Sequence, residues 1–292
     1  MSEARSREAR TPKFIMVTGA SSGIGRVTAA RLADAGHVVF PAARRAGELD
    51  LLAAEHRKAR PIVLDVTDQA SIDRGLAQVH AATNGYGLDV LVNAAGRLIL
   101  GPVEAVPAEQ VRAQFEVNLF GLLAVTRAVL PPMRERGAGR IVNVSSILGK
   151  CAFPGSGLYS ATKFAVEACS DALRMELTPF GVNVVLVEPG VVDTPLYRVA
   201  AESLPLLRND AIEPYRATWP SGFRFSERLL KQAVSVESVA AEVVRAALAS
   251  KPRSRYRPGL RNRMNIRLLT ALPTRAANRI KERLAGQASA PR

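Results

Sequence analysis

Short, almost wholly apolar runs alternate along this chain with longer stretches in which apolar side chains recur every three or four positions. The first kind of run suits a strand buried on both faces, the second an amphipathic helix. Strands are therefore expected at 14–18, 38–42, 61–65, 89–93, 140–145 and 182–188, with a short last strand at 255–257. After Gly23 a helical pattern (Val27, Ala30, Leu32, Ala33) stops at Gly36, a favoured residue just past a helix end. Further helices are expected at 48–58, at 69–81 with Asp68 as N-cap, and at 158–179. Another is expected at 236–250 with Ser235 as N-cap, and a long one opens at Pro107 and is limited by Pro131 and Pro132. Strand alternating with helix predicts an α/β fold, a doubly wound parallel sheet of about seven strands with helices on both faces. Two segments stand outside the alternation: 194–233, which holds the only tryptophan, Trp219, and the stretch after Lys251.

The first strand runs into Gly19-Ala20-Ser21-Ser22-Gly23-Ile24-Gly25 and then into a helix. Glycines permit a tight turn and close backbone approach, and the helix start offers free N–H groups to a pyrophosphate. At the head of an α/β chain this is a dinucleotide-binding arrangement of the Rossmann type. About 20 residues on, an acidic residue would hold a ribose 2′-hydroxyl. Here stand Ala42-Ala43-Arg44-Arg45. Two guanidiniums and no carboxylate favour a 2′-phosphate, hence NADP(H) over NAD(H).

A second group of candidates lies mid-chain. Tyr159 and Lys163 are four apart and share one face of the helix expected at 158–179. An ammonium beside a phenol favours the phenolate and lowers its pKa toward neutrality, where a tyrosine can donate and accept a proton. Ser146 lies upstream across a Gly/Pro-broken loop long enough to fold back, so its hydroxyl can meet Tyr159 over one substrate oxygen. Alone, Tyr-x-x-x-Lys is an ordinary solvated pair; the Gly-rich loop gives it weight.

Composition narrows the classes. The chain has 292 residues, 48% hydrophobic, enough to bury the core of one large domain. The net charge of +14 is uneven: from Lys251 onward there are twelve basic residues and one acid, Glu282. Cys151 and Cys169 suggest no disulfide framework. His37, His56 and His80 are not at metal-ligand spacing, and no metal is expected. No apolar run reaches the length of a membrane span, and residues 1–13 lack the apolar core of a secretory signal. They are expected to form a disordered leader on a cytoplasmic protein.

From 14 to 250 the chain resembles the short-chain dehydrogenase/reductases, in the short-form branch with the Thr-Gly-x-x-x-Gly-x-Gly loop. Thr18, Gly19, Gly23 and Gly25 match that loop, with Ser21, Ser22 and Ile24 inside it. Asp65-Val66 matches the pair that meets the adenine ring. Asn93-Ala94-Ala95-Gly96 matches the family's Asn-Asn-Ala-Gly, Ala94 being a departure. Asn118, Ser146, Tyr159 and Lys163 match the catalytic residues; Pro189-Gly190 and Thr194, with Val192 between, match the segment beside the nicotinamide. The resemblance implies that Ser146 holds the substrate carbonyl, the nicotinamide delivers hydride and Tyr159 gives the proton. It implies further that Lys163 holds the ribose hydroxyls and tunes Tyr159, and that Asn118 keeps a water in line.

Residues after the sixth strand cover the active site in such proteins, which makes 194–233 a substrate lid. Its Leu196, Leu204, Leu206, Leu207, Ile212, Tyr215, Trp219, Phe223, Phe225, Leu229 and Leu230 suit a large apolar substrate, or simply pack the lid on the body. Ser146, Leu148, Phe153, Tyr159, Val191 and Leu196 are the expected substrate contacts. Arg255-Tyr256-Arg257-Pro258-Gly259 looks like the hydroxysteroid and retinol dehydrogenase subgroup. The implied protein is an NADP-dependent alcohol dehydrogenase or carbonyl reductase, a homodimer or homotetramer. A non-catalytic NADP-binding sensor is the alternative; it would show a broken active site. Epimerases and dehydratases on related scaffolds usually carry a larger C-terminal domain.

On these terms 1–13 is the leader, 14–258 a single domain and 259–292 a basic amphipathic extension. Its charges interleave with Leu260, Met264, Ile266, Leu268, Leu269, Leu272, Ile280 and Leu284. Such a helix suits peripheral contact with an anionic membrane; packing on the body or in subunit contacts stands equally open. No motif supports a specific nucleic-acid partner.

Overall fold

In the computed structural model, which describes residues 12–203, 211–218 and 233–285, seven strands form one sheet. They are β1 (Phe14–Thr18), β2 (Val38–Ala43), β3 (Ile62–Val63), β4 (Val90–Asn93), β5 (Gly139–Val144), β6 (Val182–Val187) and β7 (Arg255–Tyr256). All pairs are parallel and the order is β3-β2-β1-β4-β5-β6-β7. This is the doubly wound α/β sheet that the alternation predicts. Residues 1–11 of the expected leader lie outside the described residues. So do Leu204, Leu206, Leu207, Trp219, Phe223, Phe225, Leu229 and Leu230 of the expected lid.

The side-chain period of two divides the strands between two cores. Ile15, Val17, Val39, Val92, Val142 and Val185 face α1 (Gly23–Asp34), α2 (Ala46–Glu55) and the helix Val236–Leu248. Met16, Phe40, Leu91, Ile141 and Val184 face α3 (Gln69–Ala82), α5 (Leu122–Glu135) and α6 (Gly157–Leu177). Asp68 and Ser235 cap their helices as expected, accepting from Ala70 N and Ser238 N.

Most boundaries lie within two residues of expectation; three elements are worth noting. β3 is two residues long, not five, because the edge carries only the pairing of Ala42 and Ala43 with Ile62 and Val63. α2 starts earlier and ends at Glu55 rather than residue 58. Pro131 and Pro132 do not end their helix, which runs on to Glu135. Gly137 ends it instead, at φ 68°, with Gly137 N–H donating to Arg134 O and Ala138 N–H to Met133 O. That is a Schellman stop, and only glycine takes its left-handed residue without strain.

α4 (Ala108–Phe115) is joined to α5 by a π-helical turn, Glu116–Gly121. The joined helix, Ala108–Glu135, has 28 residues and is long and apolar enough by composition to cross a membrane, which the apolar runs alone did not suggest. Here Val125, Val129, Leu130 and Met133 pack it on the sheet.

The C-terminal extension is two helices, Leu260–Ala271 and Thr274–Ala285, rather than one. Pro273 holds Leu272 extended, at φ −77° and ψ 147°, and so breaks the run. Ala277 of the second helix is buried.

Candidate active site

β1 and β4 are neighbours, and the strand order turns back on either side of them. Open α/β sheets bind ligands in the crevice at the carboxyl ends of such a pair. Thr18, ending β1, is the clamp: its Oγ1 accepts from the N–H groups of Ala94 (3.1 Å) and Ala95 (3.2 Å). The Gly-rich loop and the segment after β4 are thereby one unit. Gly19, at φ +68°, lies so close to that segment that a Cβ would stand 2.7 Å from Ala95 Cα. A Cβ on Gly25 would stand 2.4 Å from Gly19 O. Gly23 faces Thr194, whose Cγ2 would be 3.3 Å from an added Cβ.

Ser22 precedes α1 without a side-chain capping bond, and no acidic residue occupies the helix's first turn. The first N–H groups of α1 are thus left for an anion. Of the two arginines after β2, Arg45 donates to Ser21 Oγ at 3.3 Å and pairs with Glu48 at 2.8 Å. Arg44 is exposed and has no ion-pair partner among the described residues. A dinucleotide fits this crevice: a close-approach loop, free helix N–H groups and a spare guanidinium, with no carboxylate in the helix's first turn.

Asp65 is folded back on its own turn, its Oδ1 accepting from Thr67 N (2.9 Å) and Thr67 Oγ1 (2.8 Å). Val66 is buried against Gly121. The Asn93 side chain is buried too, its Nδ2 donating to Thr126 Oγ1 and Asn143 Oδ1, both at 2.9 Å. Asn143 donates onward to Ser170 Oγ at 2.9 Å. These polar groups tie β4, β5, α5 and α6 together beneath the crevice.

Asn118 sits in the π-helical turn. Its Oδ1 accepts from Arg97 N (2.7 Å), and its Nδ2 donates to Arg97 O (2.8 Å) and Thr162 Oγ1 (3.1 Å). Both amide hydrogens are used, and the side chain anchors the backbone after Gly96. π turns inside helices are frequent at functional sites.

Ser146 follows β5 in extended conformation and caps a short 3-10 turn, its Oγ accepting from Leu148 N at 3.1 Å. α6 brings Tyr159 and Lys163 to the same place. Lys163 is buried; its Nζ donates to Val144 O at 2.9 Å and stands 5.7 Å from the Tyr159 ring centroid. This corrects the expected tuning of the phenol. Burial pushes Tyr159 well above its ordinary value, and a hydrogen bond with Ser146 pulls the other way. Burial also pushes Lys163 down, to about 8, against the charge of Glu167. The ammonium gives one of its three donors to the Val144 carbonyl and stands over the Tyr159 ring.

Of the two serines, Ser146 is the one that meets Tyr159; Ser145 turns toward Gly149 and α6. Ile147 N donates to Pro189 O at 2.9 Å, joining the serine loop to Pro189-Gly190. Val192 bridges to Val234, and Thr194 is buried. Leu148, Phe153 and Val191 are half-buried. Leu196, on α7 (Pro195–Ser203), hangs over Gly96, its Cδ2 3.9 Å from where a Cβ there would stand. Within the described part of the lid, Ile212 is buried, while Tyr215 on α8 (Glu213–Thr218) bonds Glu104 Oε2 at 2.9 Å.

Sequence reasoning passed over Thr126, Asn143, Thr162 and Ser170, whose partners come from other elements. It also passed over Glu167, which helical spacing could have found, since it stands four residues after Lys163 on the same face.

Comparison with known proteins agrees with this geometry. Residues 13–204 match the family described as short chain dehydrogenase. A 3-ketodihydrosphingosine reductase of Bacteroides thetaiotaomicron is 41% identical over 183 residues, which are 63% of this chain and 65% of that protein. Among solved structures, a short-chain dehydrogenase from Streptomyces avermitilis superposes with a TM-score of 0.78 at 34% identity, covering 95% of this chain and 98% of the other. The closed form of a serine dehydrogenase complexed with NADP+ superposes with a TM-score of 0.70 at 30% identity, covering 84% and 93%. With loop, crevice and Ser-Tyr-Lys group on one sheet and these matches across it, the chain belongs to the short-chain dehydrogenases.

Proposed function

We propose that the protein is an NADP(H)-preferring oxidoreductase that interconverts an apolar secondary alcohol and ketone, or a primary alcohol and aldehyde. The carrying observation is the meeting of Ser146, Tyr159 and Lys163 at the carboxyl end of β5, beside the Gly-rich loop. Bound at that loop, the nicotinamide cofactor supplies the hydride. Ser146 orients the substrate oxygen, and Tyr159 is its proton donor in reduction. Lys163 supplies the positive charge beneath them, and Asn118 fixes the backbone after Gly96 that walls the crevice. A sensor would not need this group intact. The named relative reduces a keto compound, and the serine dehydrogenase structure holds NADP+, which supports both direction and cofactor. The half-buried Leu148 and Phe153 and the exposed Leu196 support an apolar substrate. Absorbance of NADPH against a panel of steroids, retinoids and long-chain ketones tests the activity; no turnover with any carbonyl would remove it.

Arg44 is proposed to select the cofactor. Arg44→Ala should weaken NADPH by about 1.5–3 kcal/mol, the range for a hydrogen bond to a charged group, and leave NADH nearly unchanged. Titration of both cofactors checks this, and equal losses would make Arg44 structural.

Phe120 and Phe164 are exposed on the adjacent π-helical turn and α6, and support assembly as a homodimer or homotetramer through that face. A solution mass measurement decides it.

A second reading concerns the extension. Met264, Leu268 and Leu284 are exposed among Arg267, Arg275, Arg279 and Arg283. We propose peripheral contact with anionic membrane, each basic residue near the surface contributing roughly 1 kcal/mol. Full-length protein should sediment with anionic vesicles at low salt and be released at high salt; staying in the supernatant would end the idea.

A further inference from the structure

Behind the proposed catalytic side chains lies a buried charge cluster that the chemistry above leaves unused. Glu167 stands one turn past Lys163 on α6 and is 3% exposed. Its Oε2 is 2.8 Å from Lys150 Nζ and 3.2 Å from Arg255 Nη2. Arg255, from β7, also meets Asp171 at 2.6 Å and, through Nε, Glu188 at 2.8 Å. Glu188, at the carboxyl end of β6 and fully buried, pairs in addition with Arg257.

Gly149 shows how tightly this cluster adjoins the site. A Cβ there would stand 2.9 Å from Glu167 Cγ, 3.0 Å from the Lys163 carbonyl oxygen and 3.0 Å from Ser145 Oγ. The serine loop, the backbone of Lys163 and the stem of Glu167 therefore meet at one point. Through Lys150, the carboxylate grips the same loop a second time, just past its 3-10 turn. Through Arg255, it grips the last strand. One carboxylate thus pins three elements, two of which carry Ser146, Tyr159 and Lys163.

We infer that Glu167 is a positioning residue: it fixes the serine loop on α6 and is the counter-charge, one helical turn away, to Lys163. This rests on the reading of Lys163 given above. Burial pushes Lys163 down and the Glu167 carboxylate opposes it, leaving the ammonium at about 8. The charges facing Glu167 are Lys150 from the serine loop, Arg255 from β7 and Asp171 on its own helix. Arg174, Arg257 and Glu188 complete the cluster behind them.

The sign of each perturbation follows. Lys163 loses its proton as pH rises through its folded pKa, so carbonyl reduction should fall along an alkaline limb. Removing the Glu167 charge should lower that pKa and move the limb to lower pH. Removing the Lys150 charge leaves Glu167 less neutralised and should move the limb to higher pH. A merely structural role predicts lower thermal stability with the limb in place.

The experiment is the pH profile of kcat for NADPH-dependent reduction in the full chain. Glu167→Gln should shift the alkaline limb down by about one pH unit, and Glu167→Asp should restore most of it. Lys150→Met should shift it up. An unchanged limb in a folded Glu167→Gln, or a downward shift in Lys150→Met, overturns the inference. If Glu167→Gln does not fold, the direction seen in Lys150→Met decides alone. Lys163→Met separates the two levels. If it keeps turnover, the reading of Lys163 fails and Glu167 falls with it. If it loses turnover while both other variants keep the wild-type limb, only the role of Glu167 fails.

Discussion

Replacing Tyr159 by phenylalanine should lower turnover by about 10²–10⁴, the contribution of a positioned general acid or base, and leave NADPH binding nearly unchanged. The ring is retained, so the packing around it and the position of Lys163 over it survive. Only the hydroxyl goes, and with it the proton for the developing alkoxide and the partner of Ser146. NADPH absorbance gives turnover, and cofactor fluorescence gives binding on the same sample. Turnover above a tenth of wild type would remove Tyr159 from the general-acid role. A matching loss of cofactor affinity would place its contribution in the cofactor site instead.

The sheet and much of this site were legible in the sequence because both depend on local rules. Apolar runs that alternate with helical periods leave little choice but a parallel sheet, and a Gly-rich turn between strand and helix marks the crevice. Tyr159 and Lys163 share a helix, so their spacing fixed their common face. What the residues did not disclose comes from contacts between distant elements. The expected depression of the Tyr159 pKa weighed the ammonium alone, but burial pushes the phenol the other way, and Lys163 also donates to Val144 O, from β5, at 2.9 Å. The pairing of Arg45 with Glu48, three residues on, agrees with Arg44 as the arginine that chooses the cofactor. The Asn118 amide also proved to bond Arg97 and Thr162, partners from other elements that its own position did not disclose. The break of the basic extension was a local signal passed over: Pro273 restricts the residue before it, and one expected helix becomes two.

Gly25→Ala should cost the protein its cofactor before it costs the fold. The added Cβ would stand 2.4 Å from Gly19 O, 2.8 Å from Gly19 C and 3.2 Å from Ala20 N, all backbone, so no side chain can swing aside. Gly19 cannot retreat either, since it already lies against the Ala94 and Ala95 backbone that Thr18 clamps. The loop must open, and the strain should be about 1–3 kcal/mol, as for overpacking elsewhere. Opening the loop also misaims the α1 N–H groups, so NADPH affinity should fall by about tenfold or more, a decade being about 1.4 kcal/mol. Gly47→Ala is the control. It lies in α2 with nothing within 4 Å of its added Cβ. Alanine there should stabilise by up to about 1 kcal/mol through the unfolded chain and leave NADPH binding alone. Thermal melts and NADPH titration of the two variants separate loop geometry from the general cost of replacing a glycine. Unchanged affinity in Gly25→Ala would mean that the Gly-rich loop is not where the dinucleotide sits.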